Sequence, residues 1–143
     1  MHNSIPIAVI FALATAYGIW YQRSRGRVKS VSSKRQIADS SEPTLSSEVL
    51  GSALGTRATF VQFSSAFCTP CRATRALLTD ITADLDDVKH IDIDAEKNLE
   101  LVRKLDIRST PTTLVLDKDG REIGRAVGAP KRAEILKVLE NIS

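Results

Sequence analysis

Hydrophobic and polar positions divide the chain into three regimes. Residues 5–21, IPIAVIFALATAYGIWY, are predominantly apolar and carry no charge. Residues 22–43, QRSRGRVKSVSSKRQIADSSEP, are polar and serine-rich, without apolar periodicity. From Thr44 onward short apolar runs alternate with helical patterns. TLSSEVLGSAL is expected to form a short helix with a Ser or Thr cap, ending at Gly55. ATFVQFS, 58–64, is a run of apolar and β-forming residues suited to a buried strand. Leu77, Leu78, Ile81 and Leu85 recur at helical spacing, so a helix should begin near Cys68. VKHIDID alternates strictly, with Ile91 and Ile93 facing one way and His90, Asp92 and Asp94 the other, the mark of a strand. Leu99, Val102 and Leu105 mark a second helix. TTLVLD, Thr112 to Asp117, is a strand, and KDG at 118–120 turns it into another, REIGRAV. Ile135, Leu139 and Ile142 mark a closing helix that Pro130 helps to start. This order implies an α/β fold, a central sheet with helices on both faces.

The first regime reads as a membrane anchor over residues 1–21. As a helix its 17 apolar residues extend roughly 26 Å, against a hydrocarbon core of about 30 Å, so the flanks must help. Pro6 falls in the first turn, where its missing N–H does no harm. Tyr17, Trp20 and Tyr21 gather at the far end like an interfacial aromatic belt. A cleaved signal peptide is the alternative, with ALA at 12–14 as a passable cleavage pattern. Against it, no Lys or Arg precedes the run, whereas Arg23, Arg25, Arg27 and Lys29 come directly after it. The same charges place the chain beyond residue 21 in the cytoplasm by the positive-inside rule. Residues 22–43 then read as a flexible tether to a domain spanning 44–143.

Charge narrows the function. The tether holds six basic residues against two acidic ones, while residues 44–143 hold 14 basic and 15 acidic. The net charge of +3 therefore belongs to the tether. No basic face is visible on the domain, which sets nucleic-acid binding aside.

Candidate chemistry lies in FCTPCRATRALL, residues 67–78, which contains the only two cysteines, Cys68 and Cys71. Zinc needs four ligands; the chain offers two cysteines and two histidines, and His2 precedes the apolar run, so a metal site would have to be shared between chains. A purely structural disulfide across two residues would close almost no loop. The redox reading has support from position: a strand ends and a helix starts here, where free N–H groups and the helix dipole favour an anion. A thiolate at Cys68 would be stabilised there and reactive at neutral pH. Pro70 suits the first helical turn, and Cys71, one turn on, would face inward.

Residues 58–143 resemble the thioredoxin family in three blocks, in order. FVQFSSAFCTPCR resembles its strand and WCxPC active-site run, RSTPTTLVLDKDGRE its Thr-Pro segment with the adjoining strand and turn, and VGAPKRAEILKVLENI its closing stretch. The resemblance implies a thioredoxin-like fold and thiol–disulfide exchange, with Cys68 as the attacking thiolate and Cys71 as the resolving thiol. Pro111 corresponds to the family's cis-proline, presenting Thr110 to an extended substrate; Phe67, Ala66 and Ala129 would supply apolar contact, and Gly128 a close backbone approach. No metal and no cofactor beyond the cysteine pair are expected. The implied partners are disulfide-containing proteins and an upstream thiol reductant or reductase.

Departures from the family pattern matter. Phe67 stands where the family has Trp, and Thr69-Pro70 replaces Gly-Pro. Gln62 occupies the position of a buried acid that helps deprotonate the resolving cysteine, and His90 that of a lysine. His90 is expected to take over as proton acceptor for Cys71 through water. Two rivals remain open: an outward-facing oxidase, isomerase or dedicated reductant of exported proteins, and a binding module whose redox chemistry is vestigial.

Overall fold

A computed structural model describes residues 4–24, 28–30 and 44–142. Its elements run α1 (Ser4–Ser24), β1 (Val28–Ser30), α2 (Ser47–Leu50), β2 (Ala58–Ser64), α3 (Thr69–Ala83), β3 (Val88–Asp94), α4 (Leu99–Lys104), β4 (Thr112–Asp117), β5 (Glu122–Val127) and α5 (Arg132–Glu140). The strands form one mixed sheet in the order β1-β5-β4-β2-β3. β2 pairs parallel with β3 and antiparallel with β4, and the remaining neighbours are antiparallel.

β2 is central, and every one of its residues is buried. Its freedom from charged residues reflects that position, since both faces are covered. On one face Val61 and Phe63 pack with Ile91, Ile93, Leu105, Ile107, Leu114 and Leu116, with Leu101 and Val102 of α4 against them. On the other, Ala58, Phe60, Val88 and Val115 meet Leu78 and Ile81 of α3 and Ile135 and Leu139 of α5. Helices thus cover both faces, as expected. The α3 side turns polar toward the C-terminal end of β2. There Gln62 is in register with Asp92 on β3 and Thr113 on β4, and Ser64 ends the strand. That polar end carries the site.

Three sequence expectations change. The helix expected to run to Gly55 stops at Leu50: Ser46 caps it by accepting from the Val49 N–H, and Gly51 ends it in the left-handed region at φ 65°, a conformation that glycine adopts without the strain an L side chain brings. Within the stretch read as a tether, Val28–Ser30 is an edge strand, Val28 opposite Ala126 and Ser30 opposite Gly124. Its backbone groups satisfy the outer edge of β5, a gain that composition does not reveal. Residues 31–43 lie outside the described residues. The apolar run does form a helix, α1, whose described residues 9–21 are exposed. Among the described residues, however, no helix is long and apolar enough to cross a membrane, so the fold lends the anchor no support.

Candidate active site

β2 ends at Ser64, a short loop leads on, and α3 starts at Thr69 with Cys68 as its N-cap. The chain turns here because Cys68 is extended, at φ −93° and ψ 101°, while Pro70 in the first turn needs no hydrogen-bond acceptor. The Cys68 and Cys71 sulfurs form a disulfide, with Cα atoms 5.2 Å apart. The Cys71 N–H points at Cys68 Sγ, 3.1 Å away, and at the Cys68 carbonyl, 3.2 Å away. A helix-start amide therefore faces the Cys68 sulfur, where it would favour negative charge. Cys68 is half-buried and Cys71 is 1% exposed, so one sulfur is reachable and the other shielded.

The proline segment lies beside the pair. The Thr110–Pro111 peptide bond is cis, as the family resemblance implied. Gly128, at φ 88°, donates its N–H to the Pro111 carbonyl at 2.8 Å. That left-handed backbone is what the position requires of glycine. Ser65 Oγ and Thr110 Oγ1 are 3.2 Å apart, a bond between the loop before Cys68 and the proline segment. Phe67 is 97% exposed, and Ala66, Thr69, Pro70 and Ala129 are exposed as well. Thr110 is half-buried and Pro111 buried.

Beneath the disulfide, Gln62 is fully buried. Its Nε2 donates to the Cys71 carbonyl at 2.9 Å, and its Oε1 lies 3.2 Å from His90 Nε2. His90 Nδ1 lies 3.5 Å from Thr79 Oγ1. Burial pushes the His90 imidazole below its usual range; Asp92 opposes this and Arg75 adds to it. His90 is thus connected to Cys71 through Gln62.

Sequence reasoning missed a neighbouring network. Ser64 Oγ donates to Asp92 Oδ1 at 2.7 Å and accepts from Arg75 Nη2 at 3.3 Å, while Arg75 also pairs with Asp92 Oδ2. These residues line a cleft of about 310 Å³ together with Ser65, Ala66, Cys71, Arg72 and Asp94. Two signals were legible: the alternation of VKHIDID put Asp92 on the His90 side, and Arg75 lies one helical turn beyond Cys71. The β2–β3 register that joins them was not. Among the described residues no group of three His, Cys, Asp or Glu side chains is arranged to hold a metal.

A family model for thioredoxin matches residues 42–141. The chain is 33% identical over 103 residues to thioredoxin of Mycolicibacterium smegmatis, covering 70% of this chain and 88% of that protein. It is 34% identical over 97 residues to thioredoxin of Chlamydia pneumoniae, covering 68% and 93% respectively. Among solved structures, thioredoxin NaTrxh from Nicotiana alata superposes with a TM-score of 0.57 at 24% identity, over 73% of this chain and 98% of that one, which speaks for the fold alone. Together with an accessible and a shielded cysteine at the start of α3, these matches mean that the chain belongs to the thioredoxin family and is a disulfide oxidoreductase built on Cys68 and Cys71.

Proposed function

We propose that the protein reduces disulfides in partner proteins. The Cys68 thiolate attacks one partner sulfur, forming a mixed disulfide and releasing the other as a thiolate. Cys71, deprotonated, then attacks Cys68 Sγ; the second partner thiolate leaves and the Cys68–Cys71 bond closes. Two electrons have passed to the partner, and an upstream thiol reductant or reductase returns them. The observation that carries this reading is the asymmetry of the pair, a reachable sulfur facing a helix-start N–H and a shielded one behind it. An extended segment would lie along Thr110–Pro111, with apolar contact from the exposed Phe67, Ala66 and Ala129. His90, kept neutral by burial, is the candidate acceptor of the Cys71 proton through water.

Attachment to a membrane through residues 5–21, with the domain on the cytoplasmic side, rests on the charge-free run and the basic residues just after it. It predicts that the full chain stays with membranes through alkaline carbonate washing. Reduction itself is tested with insulin and dithiothreitol as electron donor. Many disulfides reduced per protein molecule support the reading. Reduction that stops at one per molecule assigns the fold to binding instead.

A further inference from the structure

The side chain at position 62 cannot exchange a proton, yet it is fully buried directly under the resolving cysteine, in an otherwise close-packed layer. A buried primary amide is costly unless both its ends are satisfied. Here both are, and by unequal partners. The Cys71 carbonyl can only accept, so the end of Gln62 that meets it must be the NH₂ group. Turned the other way, the amide would set two acceptor oxygens 2.9 Å apart. Oε1 therefore faces His90 Nε2, which must carry a hydrogen to make a bond at 3.2 Å. The neutral imidazole is thereby fixed in one tautomer, protonated at Nε2, with the Nδ1 lone pair toward Thr79 Oγ1. Thr113 does not compete for the amide: it stands opposite Gln62 in the strand register, but its hydroxyl makes no hydrogen bond.

We propose that Gln62 is a positioning residue of the resolving step, a clasp that holds the first turn of α3 at Cys71 by its carbonyl and, through its other end, fixes His90 as the Nε2-protonated tautomer. The clasp rests on the exchange reading above and deepens it. It acts on the second half of the reaction. The first half uses Cys68 Sγ and the Cys71 N–H, on the opposite side of the helix start from the carbonyl that Gln62 holds. Loosening the carbonyl lets Cys71 drift from the line of attack on Cys68 Sγ.

5,5′-Dithiobis(2-nitrobenzoate) separates the two halves, because attack by Cys68 releases one thionitrobenzoate and attack by Cys71 on the mixed disulfide releases the second. In Gln62→Met, which keeps the length of the side chain and removes both polar ends, the first release stays within twofold of wild type. The second slows about tenfold, or about 1.4 kcal/mol at the standard conversion of 1.36 kcal/mol per tenfold. Nitrogen-15 NMR of the wild type shows His90 protonated at Nε2 below one-tenth population of the other tautomer, and Gln62→Met restores a mixture. An unchanged second phase in Gln62→Met, or an Nδ1-protonated His90 in wild type, overturns the clasp. Absence of the first release in wild type overturns the exchange reading, and the clasp with it.

Discussion

Replacing Phe67 by alanine separates docking from chemistry. The ring is 97% exposed, so it contributes almost nothing to the fold: no packed contact is lost and no cavity is opened. Exposed substitutions of this kind change stability by about 0.5 kcal/mol or less, roughly 2–4 °C in Tm for a domain of this size. On a docked partner the accounting differs. Full burial of a phenylalanine side chain is worth about 1.5–3 kcal/mol, and a partner covering half of it recovers about 1 kcal/mol. At 1.36 kcal/mol per tenfold, that is about fivefold in kcat/KM. The assay compares kcat/KM for a protein disulfide and for a small symmetrical disulfide that leaves the ring uncovered. Phe67→Ala lowers the first about fivefold and leaves the second within twofold. Equal losses on both substrates, or a fall in Tm beyond about 5 °C, would refute the reasoning, because either means that the ring supports the loop rather than the partner.

The geometry around the disulfide sets two further outcomes. Gly128→Ala forces a Cβ into a left-handed backbone at a cost of about 1–2 kcal/mol. A urea titration shows that loss with the slope unchanged, and an undiminished midpoint contradicts the need for glycine. His90 titrates below the usual histidine range in the folded chain, chiefly through burial. Folding therefore favours its neutral form, and its contribution to stability is complete above about pH 6.5 and lost as pH falls below that value. His90→Gln keeps a hydrogen-bond donor without the titration, so its loss of stability between pH 7.5 and 5.5 is smaller than that of wild type. Identical losses would mean that the folded and unfolded chains hold the His90 proton equally.

Much of the fold was legible because burial and local chemistry agree. ATFVQFS carries no charge since β2 is covered on both faces, and VKHIDID alternates since β3 puts Ile91 and Ile93 into one core while His90 points the other way. Cys68 and Pro70 announce the start of α3 within one residue. The misses share a physical cause, dependence on partners distant in sequence. Val28–Ser30 is a strand only because β5 offers it an open edge. Ser64, Arg75 and Asp92 look like ordinary surface residues until the parallel register of β2 and β3 brings them together. By residue type Gln62 is a loss, an acid replaced by a group that cannot hold a charge. In the folded chain its two hydrogen bonds run between the Cys71 carbonyl and His90, a geometry that residue type alone does not encode.

The account depends most on the unequal roles of the two sulfurs. Cys71→Ser and Cys68→Ser, each incubated with a disulfide-bonded protein and resolved by mass without added thiol, test them directly. A dithiothreitol-sensitive adduct on Cys68 that accumulates in Cys71→Ser, and none in Cys68→Ser, is the result predicted. Adducts of equal yield on either cysteine, or none on Cys68, would contradict the relay.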